Sequence, residues 1–197
     1  MDNKEVNILL KQMNFLIEIN KLKSVFRQSL LPEDGRREND AEHSWHLCMY
    51  AVVLNEYAPA SMDLLKCIKM LLIHDIVEIY AGDTYLYAED KDKQKREEEA
   101  ANKIYALIDK QGEELKDLWL EFEKCESDEA IFANTLDRLQ PLLLNYLTEG
   151  KLWLKNNVHK DQVIDKGKWK TRNVDERIRK FVLDLLDKSV EKGYLLP

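Results

Sequence analysis

Helix breakers are scarce in this chain, with six Gly and four Pro among 197 residues. Leu, Lys and Glu are common instead, so few positions interrupt a helix, and the composition predicts an all-α fold. Cysteine is also sparse. Cys48, Cys67 and Cys125 are scattered without metal-ligand spacing, and so odd and thin a set excludes a disulfide scaffold. Reduced thiols of this kind indicate a cytoplasmic protein. No apolar run approaches the roughly 18 residues of a membrane span, and the opening Met1-Asp2-Asn3-Lys4-Glu5 lacks the features of a signal peptide. Positive charge is in deficit, with 30 Lys and Arg against 37 Asp and Glu and a net charge of −7. Such a chain repels polyanions at long range, which argues against a nucleic-acid polymer as partner. A small phosphorylated ligand is compatible with it, because a local Arg cluster outweighs the global sign. What is present suffices for a core: 45% hydrophobic and 34% charged residues exclude a disordered chain. The length suits one domain.

Val6, Leu9, Leu10, Met13, Leu16 and Ile17 recur at three- and four-residue steps and predict a helix over about 4–26 with one apolar face. Residues 27–40 break that pattern and carry a turn signal, Pro32-Glu33-Asp34-Gly35. Asn39 or Asp40 caps a second helix that runs to about Tyr57 and stops before Pro59. Ser61 caps a third, about Met62–Ile79. Its apolar residues lie almost all round and place it at the centre of the domain. Ala81-Gly82-Asp83-Thr84 opens a polar loop. Helices follow over Glu89–Lys110, Glu113–Lys124 and, capped by Ser127, Asp128–Tyr146. Residues 150–172 are polar and receive no assignment. Asn173 caps a last helix, Val174–Lys192, which Gly193 terminates. No strand is expected. Residues 1–197 read as one domain, with a core at about 14–146 and a C-terminal helical extension at about 150–197.

The chain has four histidines, His43, His46, His74 and His159. His74 is followed at once by Asp75 inside the most apolar helix. A buried carboxylate needs a cation or donors beside it, so this step is a candidate metal site. A lone His-Asp pair is most often incidental, and here its company matters. Glu38-Asn39-Asp40-Ala41-Glu42-His43-Ser44 starts the second helix, and Leu136-Asp137-Arg138-Leu139 lies in another apolar helix.

These stretches, with Arg36-Arg37 before the first and Ile73-His74-Asp75-Ile76-Val77-Glu78 and Ala81-Gly82-Asp83-Thr84 between, resemble in order and spacing the HD-domain hydrolase superfamily. The closer likeness is to the branch related to 5′-deoxynucleotidases of the YfbR type, over about Asn14–Tyr146. The resemblance implies a single helical bundle of about six to eight helices. It also implies one divalent ion (Mn, Co, Mg or Fe) held by His43, His74, Asp75 and Asp137. Four such ligands leave about two positions on an octahedral ion for water and a phosphate oxygen. The ion would acidify that water and draw charge from the phosphoryl group. No histidine lies between Asp75 and Asp137, where cyclic-nucleotide phosphodiesterases and di-iron oxygenases of the superfamily carry a second metal. A mononuclear centre and monoester hydrolysis follow.

The resemblance also assigns supporting roles. Glu78 and the ligand Asp75 are the catalytic carboxylates, and Asp83 meets the nucleoside sugar. By that likeness Arg27, placed near the end of the first helix, binds phosphate; Arg36 and Arg37 are further candidate cations from their position on the way into His43, since Arg pairs two phosphate oxygens at once. Gln28 stands where the nucleotidases have a Trp that blocks a 2′-hydroxyl, so deoxyribose selectivity is not implied. A homodimer is. His46 reads as a packed histidine, His159 as solvated, and the four Trp as core or interface. Pro141, four residues after Asp137, removes a helical donor, and the resulting kink either helps to aim Asp137 or has no functional role. The reading is therefore a phosphatase of (deoxy)nucleoside 5′-monophosphates. Its rivals are another nucleotide phosphohydrolase, such as a pyrophosphatase or phosphodiesterase, and a regulatory module without turnover.

Overall fold

The computed structural model of the protein describes residues 3–87 and 91–197. Helix α1 (Asn3–Ile19) continues through a 3-10 turn (Asn20–Ser24) into strand β1 (Phe26–Leu30), which pairs with β2 (Arg37–Asn39). Then come α2 (Asp40–Val53), α3 (Leu64–Ile73), the single turn α4 (Glu78–Ala81), α5 (Lys93–Tyr105), α6 (Asp109–Lys124) and α7 (Asp128–Leu147). Short α8 (Lys151–Lys155) and α9 (Lys160–Gly167) lead to α10 (Glu176–Glu191). Seven of these described helices have ten residues or more. The all-α expectation therefore holds, with one small addition.

That addition is the hairpin, where no strand was expected. It is antiparallel, with Phe26 opposite Asn39 and Leu30 opposite Arg37. Gly35, at φ +72°, lets the chain reverse, and its amide donates to the Leu31 carbonyl at 2.9 Å. Strands of five and three residues hold too few alternations to show a period of two. The first helix accordingly ends earlier than its apolar pattern suggested. None of that pattern is buried: Leu10, Leu16 and Ile17 are 57%, 53% and 69% exposed, and the buried residue of this helix is Phe15, outside the pattern.

The central element is α7, with twelve of its twenty residues buried. It packs on α2, α3, α6 and α10. Leu47, Met70, Leu71, Leu136, Val182 and Leu186 share its core, and Phe15, Ile73, Ile104 and Trp119 form a second cluster towards α1, α5 and α6. The expectation of a central third helix is corrected. Helix α3 exposes Leu65 and Leu72 and is capped by Asp63, whose side chain accepts from the Leu65 and Lys66 amides. Asp175 likewise replaces Asn173 as the last cap. The expected helix start at Glu89 lies outside the described residues. Trp119, Trp153 and Trp169 are buried, whereas Trp45 is exposed. Among the described residues no helix is long and apolar enough to cross a membrane.

Candidate functional site

The start of α2 positions His43. The Asn39 side chain accepts from the Glu42 amide (3.0 Å) and the Glu42 carboxylate from the Asn39 amide (3.2 Å), a capping box that sets the first turn one residue before Asp40. His43 then points inward and is fully buried. Its tautomer follows from its neighbours. The Glu38 carboxylate only accepts, so the Gln140 amide donates to it at 2.6 Å. The Gln140 carbonyl oxygen is thereby turned to His43 Nδ1, 3.1 Å away, which must carry the proton. His43 Nε2 is left with its lone pair, 3.0 Å from Asp137 Oδ1.

His74 is built in the same way from different parts. Helix α3 ends at Ile73, whose carbonyl accepts from the Tyr105 hydroxyl at 3.1 Å. The His74 ring folds back and its Nδ1 donates to the Leu71 carbonyl at 2.9 Å. Its Nε2 is buried without a hydrogen-bond partner. That atom lies 3.1 Å from Asp75 Oδ2 and 3.7 Å from Asp137 Oδ1. One ligand atom each of His43, His74 and Asp137 fall within 4.8 Å of one another. Asp75 stands beside this trio, 3.9 Å from His43 Nε2, and meets Arg27 Nη1 at 2.6 Å.

Two imidazole lone pairs aimed at two carboxylates repel unless a cation lies between them. In the ion-free protein that cation is a proton. Burial and Asp75 act oppositely on His74, and the carboxylates win, raising it well above its ordinary value. Burial and Arg27 oppose charge on His43, yet Asp137 and Glu38 raise it too. Burial works against ionised Asp137, but Arg138, His43 and His74 hold it well below the carboxylate range. This donor set fits a divalent ion, since fixed Nε2 lone pairs and ionised carboxylates are what such an ion binds. Replacing Gln140 by Leu removes the group that orients His43. Divalent-ion affinity measured by calorimetry is then expected to fall about 10–100-fold; unchanged affinity would show that His43 needs no such support.

A second acidic group adjoins the first. Asp40, Glu78 and Asp83 each bring a carboxylate oxygen within 4.8 Å of the others. Burial, then Asp75 and Asp40, push Glu78 up to about 11, and burial with Asp75 pushes Asp40 up to about 7. Arg27 threads between the two groups, 3.4 Å from Asp40 Oδ1 and 3.9 Å from Asp137 Oδ1. Burial disfavours its charge, but Asp75, Asp137, Glu78 and Asp40 overcome this and raise its pKa. Gly82, at φ +76°, turns the chain so that Asp83 joins the group. Both groups open onto a cavity of about 330 Å³ that Arg27, Gln28, Asp75, Glu78, Asp83 and Asp137 line.

Arg27 is brought in from β1 and not from the first helix. Arg36 and Arg37 are not brought in, contrary to expectation. Arg36 pairs with Glu42 at 2.7 Å and Asp34 at 3.3 Å. Arg37 donates to the Arg27 and Phe26 carbonyls across the hairpin. Their charge is engaged in tying the turn together. His46 packs edge-on against Tyr50 outside the cavity, and His159 is exposed. Helix α7 runs unbroken past Pro141, which lines the cavity. The sequence reading missed Glu38, Asp40 and Gln140 as members of the site, and Trp153, Trp169 and Arg172 as part of the cavity wall. Gln140 carried a signal: three residues after Asp137 on a helix, it shares that face.

Residues 19–179 match the HD-domain family. Over 136 residues the chain is 29% identical to human 5′-deoxynucleotidase HDDC2, covering 66% of this chain and 65% of that protein, just under two thirds of its length. It is 26% identical over 145 residues to the 5′-deoxynucleotidase hdd1 of Schizosaccharomyces pombe, covering 70% of this chain and 72% of that one. The crystal structure of a predicted metal-dependent phosphohydrolase from Magnetospirillum magnetotacticum is similar at a TM-score of 0.92 and 45% identity, over 96% of each chain. The matched span contains both imidazoles and every carboxylate of the two groups, and the chain belongs to the HD-domain family.

Proposed function

We propose that the protein is a metal-dependent phosphomonoesterase that releases phosphate from (deoxy)nucleoside 5′-monophosphates. One observation carries this reading: two buried imidazole Nε2 atoms and the carboxylates of Asp75 and Asp137 face each other at one end of a cavity of about 330 Å³. That volume suits a small ligand. The relatives named as 5′-deoxynucleotidases and the structural neighbour named as a phosphohydrolase support the reaction class.

His43, His74, Asp75 and Asp137 would hold one divalent ion. When bound, it supplies Lewis-acid activation of water and phosphoryl oxygen. Glu78, which lines the cavity beside Asp75, would handle the proton of the attacking water. Arg27 steadies Asp75 and presents its guanidinium to the phosphate. Asp83 carries a buried Oδ2 without a partner, which suits a sugar hydroxyl. Gln28 lines the cavity beside Arg27, and its amide accommodates a 2′-hydroxyl by hydrogen bonds.

A panel of 5′-ribo- and 5′-deoxyribonucleotides tests the reading through release of inorganic phosphate. Phosphate from both sugar series, with kcat/KM values within about tenfold, is the expected result. Replacing Gln28 by Trp is expected to disfavour the ribonucleotides. Pyrophosphate or an opened cyclic ester as product would favour the rival phosphohydrolase. The exposed apolar residues of α1 support a homodimer, since a face of that kind calls for cover. The three unpaired cysteines support a reducing, cytoplasmic setting. Because residues 150–172 help to wall the cavity, we treat residues 1–197 as one domain.

A further inference from the structure

The cavity wall holds a cation that the mechanism above does not use. Arg172 lies between α9 and α10, is 8% exposed, and lines the cavity. Its Nε and Nη1 are buried and have no hydrogen-bond partner. The surrounding backbone holds it in place. The Arg172 amide donates to the Lys168 carbonyl at 2.8 Å. From α10, Arg179 donates to the carbonyls of Trp169 (3.0 Å), Lys170 (2.9 Å) and Arg172 (3.0 Å). Trp169 packs into a space that exists only because residue 167 is glycine; a Cβ there would lie 2.2 Å from its indole nitrogen.

Burying a guanidinium without an anion is costly, and proteins rarely leave one so. Charge accounting around the cavity shows which anion is missing. Three guanidinium groups line it. Arg27 is paired with Asp75 and Asp40. Arg138 is paired with Asp137 at 3.4 Å. Arg172 forms no carboxylate ion pair among the described residues. Among the described residues the groups whose fields favour its charge are Cys125 and then Asp137, and Asp137 already faces His43, His74 and Arg138. A phosphate dianion arriving at a centre whose two carboxylates balance a divalent ion needs an uncommitted cation. The fork of an Arg suits its oxygens.

We propose that Arg172 binds the phosphate group in this cavity, both on the substrate and as the released product. This rests on the phosphomonoesterase reading for its ligand class. It assigns a substrate contact to a segment outside the motifs that define the metal centre.

The test compares wild-type, Arg172→Met and Arg172→Lys proteins, each loaded with divalent ion. The readouts are the Kd for inorganic phosphate by calorimetry, kcat and KM for a 5′-nucleotide, and the thermal midpoint with and without phosphate. With Met, the phosphate Kd and the KM are expected to rise about ten- to hundredfold. The midpoint without phosphate should not fall, because an unpaired buried charge has been removed, and its rise on adding phosphate should shrink. Lys should restore part of the affinity; should the Met protein fail to fold, a Lys protein with several-fold weaker phosphate binding supports the proposal and one with unchanged binding overturns it. Wild-type phosphate affinity in the Met variant overturns it outright. If wild-type protein binds phosphate through Arg172 yet hydrolyses no 5′-nucleotide, the anion site stands and the hydrolase reading falls. If wild type hydrolyses and residue 172 makes no difference to phosphate, only the anion site falls.

Discussion

Asp137→Ala protein is expected to lose turnover by at least about a thousandfold and to lose its bound divalent ion. The size follows from what an ion contributes, several kcal/mol of charge stabilisation at about 1.4 kcal/mol per tenfold. Asp137 is chosen because its Oδ1 is the carboxylate oxygen that faces both imidazoles, at 3.0 and 3.7 Å. Without it the two Nε2 atoms have only Asp75, which Arg27 already engages at 2.6 Å. Asp137→Asn keeps the shape and removes the charge. It should lose nearly as much, with partial recovery at high ion concentration. Phosphate release and elemental analysis of the purified proteins check this together. An Asp137→Ala protein that keeps both ion and activity would place the chemistry elsewhere.

Glu78→Gln should separate catalysis from ion binding. Its carboxyl is not one of the four proposed ligands, so ion content should be unchanged. The turnover number should fall about 10²–10⁴-fold, the usual contribution of a positioned acid or base. Stability should move the other way. Glu78 is buried and, with Asp40 and Asp75 near, is pushed up to about 11 from an ordinary 4.5. In ion-free protein the folded state therefore keeps a proton that the unfolded chain releases above pH 4.5. Stability conferred by the protonated form is complete below that pH and is lost as pH rises towards 11. Gln does not titrate. The midpoint advantage of the variant over wild type, measured in chelator, should therefore grow from pH 5 to pH 9. A gap that is flat or shrinks with pH would show that Glu78 is not held neutral by its surroundings.

The four proposed ligands came from the family resemblance, and each sits where local sequence signals are strong. Asn39 and Glu42 spell a capping box, which sets where His43 points, and Asp137 lies in a long helix capped by Ser127. His74 and Asp75 stood out because charge is unexpected after so apolar a run. Other features depended on contacts that no local pattern records. Arg27 looked helical because the apolar period of α1 runs on towards it, but the 3-10 turn and hairpin redirect it. Arg36 and Arg37 were assigned by charge and position alone, and the hairpin and Glu42 take up their donors. Residues 150–172 carry neither a helical nor a strand period. Their order comes from left-handed turns at Gly150 and Lys168 and from Trp153 and Trp169 entering the core, all tertiary in origin. The apolar face of α1 was read correctly as a stripe, but periodicity reports that a face exists and not what covers it.

The central claim is that a single divalent ion sits between His43, His74, Asp75 and Asp137. Crystals grown with Mn²⁺ and measured for anomalous scattering address it directly. The expected result is one strong difference peak per chain, in contact with His43 Nε2, His74 Nε2 and the carboxylates of Asp75 and Asp137, with the Arg27 guanidinium moved off Asp75. A peak seated instead among Asp40, Glu78 and Asp83, or none at millimolar Mn²⁺, would contradict it.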